Sequence, residues 1–126
     1  MILDTAFVLD LLDGDEGAVS KAEQLEADGA VLKMPAMTVL ELYIGIGTGA
    51  ADDSEERRIR RVIDDLPFVP MDEEVSRRAG RRLGESGAAR RKGDAAIAAT
   101  AEIAGEPVLT RNVDDFERLG VEVETY

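Results

Sequence analysis

An α/β fold built around a mainly parallel sheet is predicted by two observations. Short β-like runs alternate with longer helical patterns along the whole chain, the order expected when crossover helices join parallel strands. The 126 residues suffice for one hydrophobic core but not two, so residues 1–126 are expected to form a single domain.

The elements follow in order. Residues 1–4 read as a strand that runs directly into a helix over about 5–12. A second helix spans about 18–27, with Ala18, Ala22 and Leu25 on one stripe, and residues 30–33 form the next strand. Pro35 opens a helix through about residue 46, since proline suits a first helical position. Gly45, Gly47 and Gly49 end it; a phosphate cradle there is disfavoured because the glycines follow a helix rather than join a strand to one.

Ser54 is the expected N-cap of a helix to residue 66, with Glu55 and Glu56 in its first turn where acids suit the helix dipole. Arg57 stands where a full capping box needs Glu or Gln. Residues 67–71 read as a strand, Asp72 caps a helix to about 85, and residues 86–93 form a polar, basic loop. Asp94 starts an alanine-rich helix to 104. A strand at 107–110, a short helix at 113–119 and a strand at 121–125 complete the chain.

Composition narrows the chemistry. The net charge is −12, and lysine is limited to Lys21, Lys33 and Lys92 against twelve arginines. Such an acidic, alanine-rich, lysine-poor chain is expected to be halophilic, though high net charge also serves ordinary solubility. There is no cysteine and no histidine. Disulfides, thiolate zinc sites, cysteine nucleophiles and imidazole acid–base catalysis are therefore excluded. The first residues do not read as a signal peptide, because Asp4 and Asp10 interrupt the apolar run and no basic residue precedes it. No uncharged run has the length and hydrophobicity of a membrane span, so a cytoplasmic protein is expected.

The remaining chemistry belongs to carboxylates. Asp4 and Asp94 both precede a helix, where capping is the ordinary use of aspartate. Asp10 and Asp13 read as solvated or helix-terminal, and Asp114 and Asp115 as first-turn acids. Glu41 is different: it is the only charged residue between Lys33 and Asp52, on a helix apolar on nearly every face. That pattern predicts a buried helix, in which the glutamate is protonated, paired with an arginine or facing a polar cavity.

Topology offers a meeting place. Ligands of open parallel sheets bind beyond the carboxyl ends of the strands where strand order reverses. Asp4 ends the first strand, and Thr110, Arg111 and Asn112 end a late one. If these strands are neighbours their ends share a crevice, with Asp94 near its rim. Clustered carboxylates repel unless a cation neutralises them, and an all-oxygen donor set favours Mg2+ or Mn2+. An ion so held suits phosphodiester hydrolysis.

The order LDT at 3–5, TVLELYIG at 38–45, GDAAIAATA at 93–101 and LTRNVDDF at 109–116 resembles the PIN-domain ribonucleases, especially the VapC-like toxins of toxin–antitoxin pairs. The resemblance covers essentially the whole chain. It implies a three-layer α/β/α fold and a metal-dependent endoribonuclease of the Mg2+ or Mn2+ type, held inactive by a cognate VapB-like antitoxin and commonly dimeric. On it, Asp4 and Asp94 match the main metal ligands and Glu41 the second acid, a ligand directly or through water. The fourth site position falls on Asp115, with Asn112 as an alternative or supporting ligand. Thr5 and Thr110 resemble hydroxyls that position carboxylates or water, while Ala6 departs from the usual Ser or Asn.

Charge is unevenly spread. Residues 57–92 hold eleven Lys/Arg against six Asp/Glu, an excess of five positive charges in a chain whose remainder is strongly negative. Glu73 with Arg77 and Glu74 with Arg78 sit at ion-pairing helical spacing. Arg90, Arg91 and Lys92, just before Asp94, are the candidates for contacting RNA phosphates. Two rival readings remain: a non-catalytic PIN-like RNA-binding module, and a receiver-type signalling domain. The latter needs a lysine at the end of a late strand, where this chain has none.

Overall fold

The computed structural model describes residues 1–87 and 91–126; Arg90 lies outside them. Five short parallel strands carry the fold: β1 (Ile2–Leu3), β2 (Met34–Pro35), β3 (Phe68–Val69), β4 (Val108–Leu109) and β5 (Val123–Glu124). Strands β1, β4 and β5 pair in that order, with Ile2 opposite Val108 and Val108 opposite Val123. Strands β2 and β3 pair separately, and a parallel bridge between Ile2 and Lys33 joins them to β1. The spatial order is therefore β3-β2-β1-β4-β5. Strand order reverses between β1 and β4, and these two strands lie side by side, which meets the condition left open by the sequence.

Pairing continues past the named strands. The Asp4 N–H donates to the Leu109 carbonyl at 3.1 Å and the Thr110 N–H to the Glu124 carbonyl at 3.0 Å. The backbones that carry the two site residues are thus fixed by the sheet itself.

Seven helices complete the described chain: α1 (Thr5–Leu12), α2 (Glu16–Ala27), α3 (Ala36–Gly47), α4 (Asp53–Asp65), α5 (Glu73–Ser86), α6 (Lys92–Ala104) and α7 (Val113–Arg118). Alternation along the strands sorts them into two layers. Leu3 and Leu109 face a core with Phe7, Val8, Leu25, Leu42 and Ile59, from α1 to α4. Ile2 and Val108 face Ile97, Ala98, Ala101, Phe116 and Leu119, from α6 and α7. Helix α5 covers the outer side of α6 through Val75 and Ala79. All seven residues from Ala95 to Ala101 are buried, so the alanine-rich sequence is that of a central helix packed closely on both sides.

Several boundaries differ from the sequence expectations. The N-cap of α4 is Asp52, not Ser54: its carboxylate accepts from the Glu55 N–H at 2.8 Å. Asp72 caps α5 as expected, and Asp15 starts α2 two residues earlier than its apolar stripe. The second strand lies at 34–35 rather than 30–33: Lys33 forms only a lone bridge to Ile2, and before it the first strand is met through the Met1 amino group, which donates to the Val31 carbonyl at 3.1 Å. Pro35 ends that strand and serves as N-cap of α3, one residue before the helix. Gly45 and Gly47 stay helical, and Gly49 makes the turn with φ +80°. Helix α5 includes Ser86 and α6 starts at Lys92, which puts Asp94 inside the first turn; residues 88–90 of the expected basic loop lie outside the described residues.

The largest correction concerns α3. Its apolar sequence predicts burial, yet Leu40, Tyr43 and Ile44 are 52%, 41% and 55% exposed. Among its residues only Thr38 and Leu42 are buried. An apolar helix here means one face in the core and another uncovered.

Candidate active site

Asp4 is the key to the crevice because its ordinary role can be checked. It occupies the N-cap position of α1 with extended backbone (φ −76°, ψ 151°), but makes no side-chain cap bond. Asp15, Asp52 and Asp72, in the same position before their helices, each accept the expected N–H. The Asp4 carboxylate, 4% exposed, turns inward instead and accepts from the Thr110 hydroxyl at 2.6 Å. That hydroxyl in turn accepts from the Asn112 N–H at 2.9 Å. Asp94 is not a cap either; Arg91 holds that position in α6.

Glu41 reaches the same region from α3. Its Oε1 accepts from the Thr5 hydroxyl at 2.9 Å. Thr5 and Thr110 therefore do what their resemblance implies, each fixing one carboxylate. Gly93 makes the approach possible: a Cβ there would stand 3.0 Å from Glu41 Oε2. The anchoring of α3 has no signal in the sequence. The buried Thr38 hydroxyl donates to the Leu3 carbonyl at 2.8 Å, tying the helix to β1 beside Asp4.

Electrostatics couples the acids. Burial pushes the Asp4 carboxyl above the usual carboxylate range, and the Glu41 charge adds to this; Thr110, the Thr5 N–H and Arg111 oppose it. Burial also raises Glu41, with Asp94 contributing and the Thr5 hydrogen bond opposing. Asp94 is raised by burial, then by Asp4 and Asp115, against the pull of Arg91. Among the described residues no Lys or Arg forms an ion pair with Asp4, Glu41 or Asp94. The buried Glu–Arg pair considered for Glu41 is thus not formed there.

The periphery is also ordered. Asp115, in the first turn of α7, is ion-paired with Arg91. Asn112 is exposed and precedes α7 without capping it. Lys92 is exposed beside Asp94, and Arg90 cannot be placed because it lies outside the described residues. Asp10 is neither merely solvated nor terminal. It takes Arg111 Nη1 on both oxygens, at 2.8 and 2.9 Å, and the Tyr126 hydroxyl at 2.6 Å. Tyr126 stacks edge-on against the buried Phe7 at 5.1 Å between ring centres.

Much of the remaining basic charge is neutralised locally. Arg77 pairs with Glu73 and Arg78 with Glu74, as their spacing predicts, while Arg78 and Arg82 share Glu102. Lys33 pairs with Glu106 at the amino-terminal edge of the sheet, away from the crevice and from any receiver-like position. No described helix is long and apolar enough to cross a membrane.

These features define a parallel-sheet α/β domain with Asp4, Glu41 and Asp94 near one another where the strand order reverses. The chain belongs to the PIN-domain family, whose sequence model matches residues 1–122. Its three-layer fold is shared with solved structures of low sequence identity. One is the VapBC2 structure from Rickettsia felis bound to a promoter DNA fragment: 17% identity, TM-score 0.83, covering 99% of this chain and 97% of that one. The DNA-bound VapBC structure from Salmonella typhimurium matches at 22% identity and TM-score 0.82, over 98% and 96% of the two chains. A member of the VapBC family of toxin–antitoxin systems from Mycobacterium tuberculosis, VapBC-5, matches at 28% identity and TM-score 0.63, over 98% and 94%. A comparison with curated protein sequences finds no match.

Proposed function

We propose that the protein is a divalent-metal-dependent endoribonuclease and the toxin of a toxin–antitoxin pair. The observation that carries this reading is the set Asp4, Glu41 and Asp94. Three acids from separate parts of the chain, Asp4 buried and Glu41 and Asp94 half-buried, are raised by burial and by one another. Such a group is expensive to keep charged without a cation.

The donor set fits a hard ion in kind. It offers only oxygen, and Gly93 leaves room for Glu41 beside the start of α6. Among the described residues no three acids are drawn together closely enough to hold an ion as they stand. Asp4, Asp94 and Glu41 would hold Mg2+ or Mn2+, with Asp115, whose charge acts on Asp94, as the fourth acid and Asn112 as an alternative or supporting ligand. When bound, the ion would activate water and stabilise charge developing on a phosphoryl oxygen. The residues of the chain supply orientation: Thr110 holds Asp4, Thr5 holds Glu41, and Lys92 offers a cation for substrate phosphate beside Asp94.

The partner reading rests on the VapBC complexes that share the fold. Leu40, Tyr43 and Ile44 form an exposed apolar ridge on the helix that bears Glu41. A VapB-like antitoxin segment laid on that ridge would lie next to the crevice. Homodimerisation and a cytoplasmic location belong to the same proposal.

The test uses Asp4→Asn and Asp94→Asn. Each is expected to abolish metal-dependent RNA cleavage while circular dichroism shows an intact fold. Wild-type cleavage by either variant rejects the site. RNA binding without cleavage by the wild-type protein in Mn2+ supports the binding-module alternative instead.

A further inference from the structure

We infer that Arg91 is a built-in counter-ion that holds Asp115, the candidate fourth ligand, until a metal ion takes its place. The inference rests on the metal-site reading above and adds to it an intramolecular competitor. Arg91 immediately precedes α6, and Asp115 lies in the first turn of α7. Their ion pair therefore bridges the two helices that flank the crevice, between residues 24 apart in sequence. Arg91 also stands three positions before Asp94, at the N-cap position of α6.

Other arginines near the site are committed differently. Arg111 is held by Asp10, which is itself fixed by Tyr126 packed on Phe7. Arg77, Arg78 and Arg82 are paired with glutamates outside the crevice. Among the described residues, Arg91 is the cation whose partner is a candidate ligand. Both members of its pair are partly open to solvent, at 43% and 33% of their side-chain area. Water screens such a pair, so it exchanges readily for a divalent ion. The released guanidinium is then left beside the crevice, where its planar fork suits a phosphate.

Titration calorimetry of the full-length, metal-free protein with Mn2+ tests this directly. Arg91→Gln is expected to tighten apparent Mn2+ affinity by about two- to fivefold, the range that release of a partly exposed ion pair permits. The same substitution in an Asp115→Asn background is expected to have little effect, because the competing contact is already gone. Arg111→Gln, which removes an equal charge anchored at Asp10, is expected to change affinity less than Arg91→Gln. An unchanged or weaker affinity in Arg91→Gln overturns the inference. So does a tightening of the same size in the Asp115→Asn background, which would mark a general charge effect. A wild-type protein that binds no Mn2+ would instead overturn the metal-site reading on which the inference stands.

Discussion

Gly93→Ala isolates the position of one carboxylate without removing any acid. Gly93 is the second residue of α6 and Glu41 lies midway along α3. A Cβ at residue 93 would stand 3.0 Å from Glu41 Oε2, 3.2 Å from Cδ and 3.3 Å from Oε1. Non-bonded heavy atoms settle at roughly 3.5 Å or more, so the methyl pushes the carboxylate back by roughly half an ångström. The atoms it meets are the end of a flexible side chain, and neither helix need move. Retreat strains the 2.9 Å hydrogen bond from Thr5. Losing that bond costs about 1 kcal/mol, while replacing glycine in a helix gains up to about 1 kcal/mol. Stability should therefore stay within about 1 kcal/mol of wild type. Activity should not, because an ångström of misplacement can cost roughly a hundredfold. About half that displacement predicts a loss of about tenfold in kcat/KM. Initial rates on a fluorogenic RNA, with thermal unfolding in parallel, separate the two effects. Full activity in Gly93→Ala would refute the placement of Glu41 in the working site, and a loss explained wholly by unfolding would refute it equally.

Three further outcomes follow from the same geometry. Thr110→Val keeps the shape of a fully buried side chain but removes the hydroxyl that serves Asp4 and the Asn112 N–H. It should cost about 1–3 kcal/mol in urea unfolding and move the acidic limb of the pH–rate profile upward; an unshifted limb would deny that Thr110 holds Asp4 in its charged form. Asp94→Asn should raise the unfolding temperature of the metal-free protein at neutral pH. Asp4, Glu41 and Asp94 have folded-state pKa values above their unfolded ones, so the folded state holds more protons and stability falls as pH rises through that interval. Neutralising one acid relieves the repulsion, and a lowered midpoint would show that the acids are already compensated. Finally, a net charge of −12 predicts an unfolding midpoint that rises into molar KCl; undiminished stability in dilute buffer would remove the halophilic expectation.

The sequence was most legible where local chemistry and topology agree. The alternation of elements and the Asp72 cap follow from patterns that the fold does not override, while the adjacency of β1 and β4, which the sequence leaves as a condition, is met in the sheet. Thr5 and Thr110 were found through their resemblance to positioning hydroxyls, and both make the corresponding bonds. Failures came where one local signal has two solutions. Asp52 and Ser54 are both good caps, and only backbone geometry selects the aspartate. An apolar helix can be buried or await a partner, so the exposure of Leu40, Tyr43 and Ile44 was invisible in periodicity alone. The contacts of Arg91 with Asp115 and of Arg111 with Asp10 join residues far apart in sequence. No spacing rule predicts such pairs. Gly93 carried a faint signal, a glycine set immediately before a candidate ligand at a helix start, whose meaning depends on Glu41 arriving from another helix.

The most direct test of the account is RNA cleavage by the purified wild-type protein, assayed on total RNA and on purified tRNA with Mg2+ or Mn2+ and again in excess chelator. Discrete cleavage products that appear with metal and vanish with chelator are the predicted result. RNA that stays intact with both metals, or cleavage that persists in chelator, would contradict a metal-dependent nuclease built on Asp4, Glu41 and Asp94.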